Sequence, residues 1–146
     1  MEEGISLLEK IKLEFSCSKV DVKTYSPLTL AYIGDAIYDL VVKTVVVQRG
    51  NRGANGLHKT TSKVVNAVTQ AIMAEAVLEK LTPEEEAVYR RGRNAKSYTA
   101  AKNAPIIDYR KATGFEALLG YLYLSDRMER ILEIIKIGLD AAKVEL

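Results

Sequence analysis

The chain has 146 residues, 48% of them apolar and 27% charged, with a formal net charge of +2 and one cysteine. That length supports one domain with a sizeable core, and a lone Cys17 excludes an internal disulfide framework. No segment approaches the roughly 20 uninterrupted apolar residues of a spanning helix, and Met1-Glu-Glu-Gly lacks the basic flank and apolar run of a secretory signal. The expectation is therefore a protein of the reducing cytoplasm with no membrane partner.

Taken in order, Glu2 to Phe15 carries apolar residues at Ile5, Leu8, Ile11 and Phe15, the spacing of a short amphipathic helix. After a polar link, Ser26-Pro27 forms a helix start, with Ser26 as N-cap and Pro27 in the first helical position. The helix that follows runs to about Val47, with an expected apolar stripe of Leu30, Ile33, Ile37, Leu40, Val41 and Thr44. Gln48 to Gly56 holds three glycines and ends it. A long helix is expected from Leu57 to Leu81, with Val64, Val68, Ile72, Met73, Ala76 and Leu78 as its apolar positions.

Thr82-Pro83-Glu-Glu-Glu86 combines an N-cap, a proline and acids that complement the positive end of a helix dipole. That helix ends near Gly92, and Gly92 to Asn103 is small, polar and basic, which reads as a mobile loop. Pro105 to Leu124 returns to helix, and Met128 to Val144 is a last amphipathic helix carrying Ile131, Ile134, Ile135 and Leu139. No strand signal remains. The fold class expected is all-α, about six helices, in a single domain over residues 1–146.

Charge is segregated along this chain. Leu40 to Ala74 contains no acid and has a charge of +5, as does Ala87 to Ile107, which leaves the remainder at −8. Two basic segments beside an acidic remainder suggest a polyanion held on one face. The candidates for that contact are Arg49, Arg52, His58, Lys59 and Lys63 in the first segment and Arg90, Arg91, Arg93 and Lys96 in the second. His58, with no second His or Cys nearby, is a poor metal ligand and reads as a helix-start or phosphate-facing residue.

Two carboxylates stand inside apolar helical runs. Asp35 follows Gly34 in Leu30-Ala-Tyr-Ile-Gly-Asp-Ala-Ile-Tyr-Asp-Leu40, and Glu116 is the only charge in Thr113-Gly-Phe-Glu-Ala-Leu-Leu-Gly-Tyr-Leu-Tyr-Leu124. Glu116 shares its helix face with Thr113, Gly120 and Tyr123, while Phe115, Leu118, Leu119 and Leu122 form the core stripe. A glycine inside a helix costs up to about 1 kcal/mol against alanine, so Gly34 and Gly120 each imply a close approach, of helix on helix or of backbone on substrate. The spacing leaves two readings of the acids open. Asp35 reads as a buried acid bonded to a tyrosine or backbone amide and Glu116 as half of an arginine salt bridge, or the two share a metal ion. Magnesium suits the second reading, because it keeps several waters and needs few carboxylates, and the chemistry that follows is phosphodiester hydrolysis.

Ile33-Gly-Asp-Ala36 resembles the centre of the ribonuclease III signature, and Phe115-Glu-Ala-Leu-Leu-Gly120 resembles the second motif of that family, in the right order and separation. The likeness runs from about Pro27 to the C-terminus. Leu30-Ala-Tyr-Ile-Gly-Asp-Ala, Arg91-Gly-Arg-Asn-Ala-Lys-Ser97 and Thr113-Gly-Phe-Glu-Ala-Leu-Leu-Gly-Tyr are similar to the Mini-ribonuclease III group. That group has the catalytic domain without a double-stranded-RNA-binding domain, for which a chain ending at Leu146 leaves no room.

The resemblance implies an all-α homodimer that cuts each strand of an RNA duplex, with Asp35 and Glu116 as catalytic metal ligands. It implies Mg2+ as the cofactor, with Mn2+ as a substitute. The products are 5′-phosphate and 3′-hydroxyl ends with short 3′ overhangs. The implied target is precursor large-subunit (23S) ribosomal RNA, with a ribosomal protein or precursor particle as a further partner. Ala31 and Thr113 stand where the wider family carries two more acids, which favours one well-held metal over two. Asp39 lies one turn from Asp35 near a basic helix end. The rival readings are an RNA- or ribosome-docking module on the same fold and an all-α hydrolase of nucleoside phosphates, for which the only acidic cluster, Glu84-Glu-Glu86, is better explained as dipole capping.

Overall fold

Side-chain caps set several of the helix starts. The Ser26 hydroxyl accepts the Thr29 amide at 3.2 Å ahead of Pro27, and Thr82 and Glu85 form a reciprocal capping box around Pro83. In the computed structural model, which describes residues 4–95 and 105–146, these starts and the apolar periodicity give seven α-helices. They are α1 (Leu7–Glu14), α2 (Pro27–Gln48), α3 (Ala54–Ser62), α4 (Ala67–Val77), α5 (Pro83–Asn94), α6 (Ile106–Leu124) and α7 (Met128–Ala142). Short 3₁₀ turns lie at Val22–Thr24 and Leu78–Lys80, and no strand occurs among the described residues.

Helix α6 is the axis of the fold. Its most extensive contacts are with α2, α5 and α4, and α7 packs mainly on α4. From Ala112 to Tyr123 every residue of α6 is buried except Glu116. The expected stripe of Phe115, Leu118, Leu119 and Leu122 is wholly buried, each side chain contributing about 1.5–3 kcal/mol by leaving water.

Helices α2 and α6 meet backbone to backbone. A Cβ on Gly34 would collide with the carbonyl oxygen of Glu116 and lie 2.8 Å from the Gly120 nitrogen, and one on Gly120 would collide with the carbonyl of Leu30. The close approach implied by the two glycines is therefore helix on helix.

Four sequence expectations change. The long helix over 57–81 is two helices broken at Lys63–Asn66, because Asn66 caps α4 by accepting the Thr69 amide at 2.8 Å. The Thr69 hydroxyl donates to the Lys63 carbonyl at 2.9 Å across the same break. The register of α4 shifts accordingly: Gln70, Ala71, Met73, Ala74 and Val77 are buried, while Val68 and Ile72 are exposed.

In α2 the buried line is Leu30, Ala31, Gly34, Ile37, Tyr38, Val42 and Val46, with Leu40 and Thr44 exposed. The contact surface follows the glycine that admits α6 rather than the row of largest side chains. Helix α1 buries only Leu8, leaving Ile5, Ile11 and Phe15 exposed. Finally, α5 continues through Gly92 to Asn94, and the remainder of the segment read as a loop lies largely outside the described residues.

Candidate active site

The crossing of α2 on α6 brings the two motif acids together. Gly34 rests against the backbone of Glu116, so Asp35, the next residue, stands beside the Glu116 side chain. Asp35 is on the exposed side of this contact and Glu116 is half-buried, so the apolar surroundings read for Asp35 in the sequence belong to its neighbours. Burial, reinforced by hydrogen bonding to Asp35 and by its charge, pushes the Glu116 carboxyl up from 4.5 to about 8.

A third side chain completes the arrangement. Gln70 Nε2, from the first turn of α4, donates to Glu116 Oε2 at 3.1 Å. The sequence reading passed over this residue. Its signal was a polar side chain in the 70, 73, 74, 77 row that forms the buried face of an otherwise apolar helix.

Tyr38 braces the same place from α2. Its hydroxyl donates to the Val64 carbonyl at 2.8 Å, with the Met73 sulfur at 3.3 Å, and its ring meets Phe115 edge-on at 5.8 Å between centroids. Burial, and secondarily the charge of Glu116, raises the Tyr38 phenol above its ordinary range.

Neither of the other family acid positions contributes a charged oxygen. Ala31 is buried, and buried Thr113 turns its hydroxyl to the Tyr109 carbonyl at 2.9 Å. Asp39 pairs with Lys43 at 2.9 Å along its own helix. No ion pair to Asp35 or Glu116 occurs among the described residues. No group of three or more His, Cys, Asp or Glu gathers among them either. The site is thus two adjacent carboxylates without a basic partner, a hard-oxygen donor set that fits one divalent cation.

Residues 28–127 match the family model described as the ribonuclease III domain. The chain belongs to the ribonuclease III family. Its relatives place it in the Mini-ribonuclease III group. The Mini-ribonuclease 3 of Enterococcus faecalis is 49% identical over 117 residues, covering 79% of this chain and 89% of the relative. That of Clostridium tetani is 46% identical over 121 residues, covering 82% and 80%. A crystal structure of a Fusobacterium nucleatum protein superposes with a TM-score of 0.75 at 30% identity, over 84% of this chain and 98% of that one. The chain is an endoribonuclease with an RNA substrate, in a family whose nucleases depend in general on divalent metals.

The basic residues of this ribonuclease III chain fall in three groups. Arg49 caps α2 and donates to the Leu146 carbonyl at 2.7 Å, and Arg52 donates to the Thr60 hydroxyl at 2.9 Å. His58, Lys59 and Lys63 are exposed along α3 and at its C-cap. On α5, Arg90 pairs with Glu86, Arg91 is exposed, and the Arg93 guanidinium stands 5.9 Å from the centroid of the Tyr89 ring. Lys96 lies outside the described residues. No helix among the described residues is long and apolar enough to cross a membrane.

Proposed function

We propose that this endoribonuclease is magnesium-dependent and cuts double-stranded RNA as a homodimer, with Asp35 and Glu116 holding the ion in each subunit. The observation that carries this reading is the carboxylate pair at the α2–α6 crossing, which no cationic side chain among the described residues balances. Two oxygen ligands leave room for the several waters that magnesium keeps. Manganese, with the same taste for oxygen ligands, substitutes for it. When bound, such an ion supplies charge that lowers the pKa of an attacking water and offsets negative charge gathering on the phosphoryl group.

The chain's own residues do the rest. Arg49, Arg52, His58, Lys59, Lys63, Arg90, Arg91, Arg93 and Lys96 supply contacts to the RNA phosphates and 2′-hydroxyls. Water attacks phosphorus, the bond to the 3′ oxygen breaks, and the cut leaves a 3′-hydroxyl and a 5′-phosphate. Two sites in one dimer cut both strands without release and rebinding. The dimer reading is supported by an uncovered apolar surface. Leu7 and Leu13 of α1, Phe15 at its C-cap, and Tyr32 and Leu40 of α2 are all exposed, and two clefts beside α1 are lined by Ile33, Ile37 and Leu40 of α2 and by Tyr123 of α6.

The target, precursor 23S ribosomal RNA in the cytoplasm with a ribosomal protein assisting, follows from the likeness of the motifs to the Mini-ribonuclease III group. Mapping the ends of ribosomal RNA precursors with and without the protein tests it. Unchanged 23S ends in cells lacking the protein would remove that target. Sedimentation of the purified protein tests the dimer, and a monomeric species at micromolar concentration would overturn it.

A further inference from the structure

We infer that Gln70 is a positioning residue that holds the Glu116 carboxylate in place for the cation without neutralising it. The inference rests on the metal reading proposed above and adds to it a residue from a third helix. Gln70 is 4% exposed, far below what a surface amide shows, and its described polar contact is with Glu116 Oε2 at 3.1 Å. The Gln70 amide turns its Nε2 to Glu116 and donates, the direction that suits a carboxylate binding a cation.

Everything around Gln70 fixes its first turn. Asn66 caps α4 through the Thr69 amide, and the Thr69 hydroxyl closes back on the Lys63 carbonyl. The turn is tied to α2 by the Tyr38 hydroxyl on Val64, and Tyr38 itself packs on Phe115, the neighbour of Glu116. The helices that carry both acids therefore also register Gln70. An arginine or lysine in this position would satisfy Glu116 but would take the charge that a metal needs. A neutral amide satisfies one oxygen and adds no positive charge to compete with a cation.

Two substitutions separate the hydrogen bond from bulk and from polarity. Gln70→Met keeps the length and loses the amide; Gln70→Asn keeps the amide and loses the reach. Manganese binding to the RNA-free protein is measured by titration calorimetry, beside melting midpoints in chelator and cleavage of duplex RNA at varied metal concentration. The expected result is a roughly 10- to 100-fold weaker manganese affinity in both variants. Melting in chelator should be preserved, the KM for RNA unchanged, and kcat recovered at high metal.

Wild-type affinity in Gln70→Met would show that bulk alone matters, and wild-type affinity in Gln70→Asn that polarity alone does; either overturns the inference. Loss of the fold in both variants overturns it too, since the role would then be structural. Glu116→Gln is the control for the underlying reading. If that variant binds manganese as the wild type does, the metal site itself is wrong, whatever Gln70 does.

Discussion

Two glutamates in this molecule are drawn into the protein, and they are treated in opposite ways. Glu85, on the first turn of α5, is 2% exposed and takes a bidentate contact from Arg130, with Nε and Nη2 each 2.8 Å from a carboxylate oxygen. That guanidinium, helped by Thr82, holds its carboxyl below the ordinary range. Among the described residues Glu116 has a neutral amide and another acid for company, and its carboxyl is pushed up to about 8. A buried acid that the fold needs is balanced by the fold itself. One left unbalanced in a family of metal-dependent nucleases is a place where something else brings the charge.

The largest test of this contrast is Asp35→Asn. Cleavage of duplex RNA in magnesium should fall by roughly 10³-fold or more, about 4 kcal/mol of barrier, while circular dichroism and melting stay as they were. Cleavage at wild-type rate would remove Asp35 from the site. Next comes Gly34→Ala, which forces a methyl group into the Glu116 carbonyl and should lower stability by about 3 kcal/mol or more. It should take activity with it, because the same contact sets the two acids side by side. A normal melt would mean that α2 and α6 pack less closely than described.

Arg130→Met should cost about 3 kcal/mol by leaving Glu85 buried and unpaired, with cleavage per folded molecule unchanged. An intact melting midpoint would show that Glu85 is not balanced by Arg130.

Glu116→Gln should act in the opposite sense on stability. Because the Glu116 carboxyl is raised from 4.5 to about 8 in the folded chain, its contribution is fully present below about pH 4.5 and is lost as pH rises through about 8. In chelator the variant should therefore melt above the wild type at pH 9, with the gap closing toward pH 5. Parallel curves would mean that Glu116 is not strained. The smallest expected effect is on RNA affinity. Replacing Arg91 and Arg93 together should lower the salt slope of duplex binding by about 1 to 2, and an unchanged slope would refute their phosphate role.

Much of the fold was legible in the chain because it is written locally. The Ser26-Pro27 and Thr82-Pro83 starts, the end of α2 near Gln48 and the buried stripe of α6 follow from capping chemistry and helical periodicity, which need no distant partner. The break at Lys63–Asn66 was hidden because an apolar pattern continues through it. Only the Asn66 cap and the Tyr38 anchor on Val64 reveal the turn. The face of α2 was partly misassigned for a related reason: size picks out Leu40, which is exposed, whereas the closest contact with α6 is made where Gly34 has no side chain at all.

For the site, the sequence alone singled out Asp35 and Glu116 as candidates, since a charge within an apolar helix needs an explanation and the two motifs occur in family order. It also determined that Ala31 and Thr113 offer no carboxylate. Only the tertiary structure decided how the acids meet and who attends them. Two glycines let the backbones of α2 and α6 touch, the touch sets Asp35 beside Glu116, and burial there pushes the Glu116 carboxyl up. Gln70 joins from a third helix 46 residues away in the chain. Neither its distance nor its direction is encoded in its neighbours, because both depend on where α4 begins after a turn that is held in place by Tyr38.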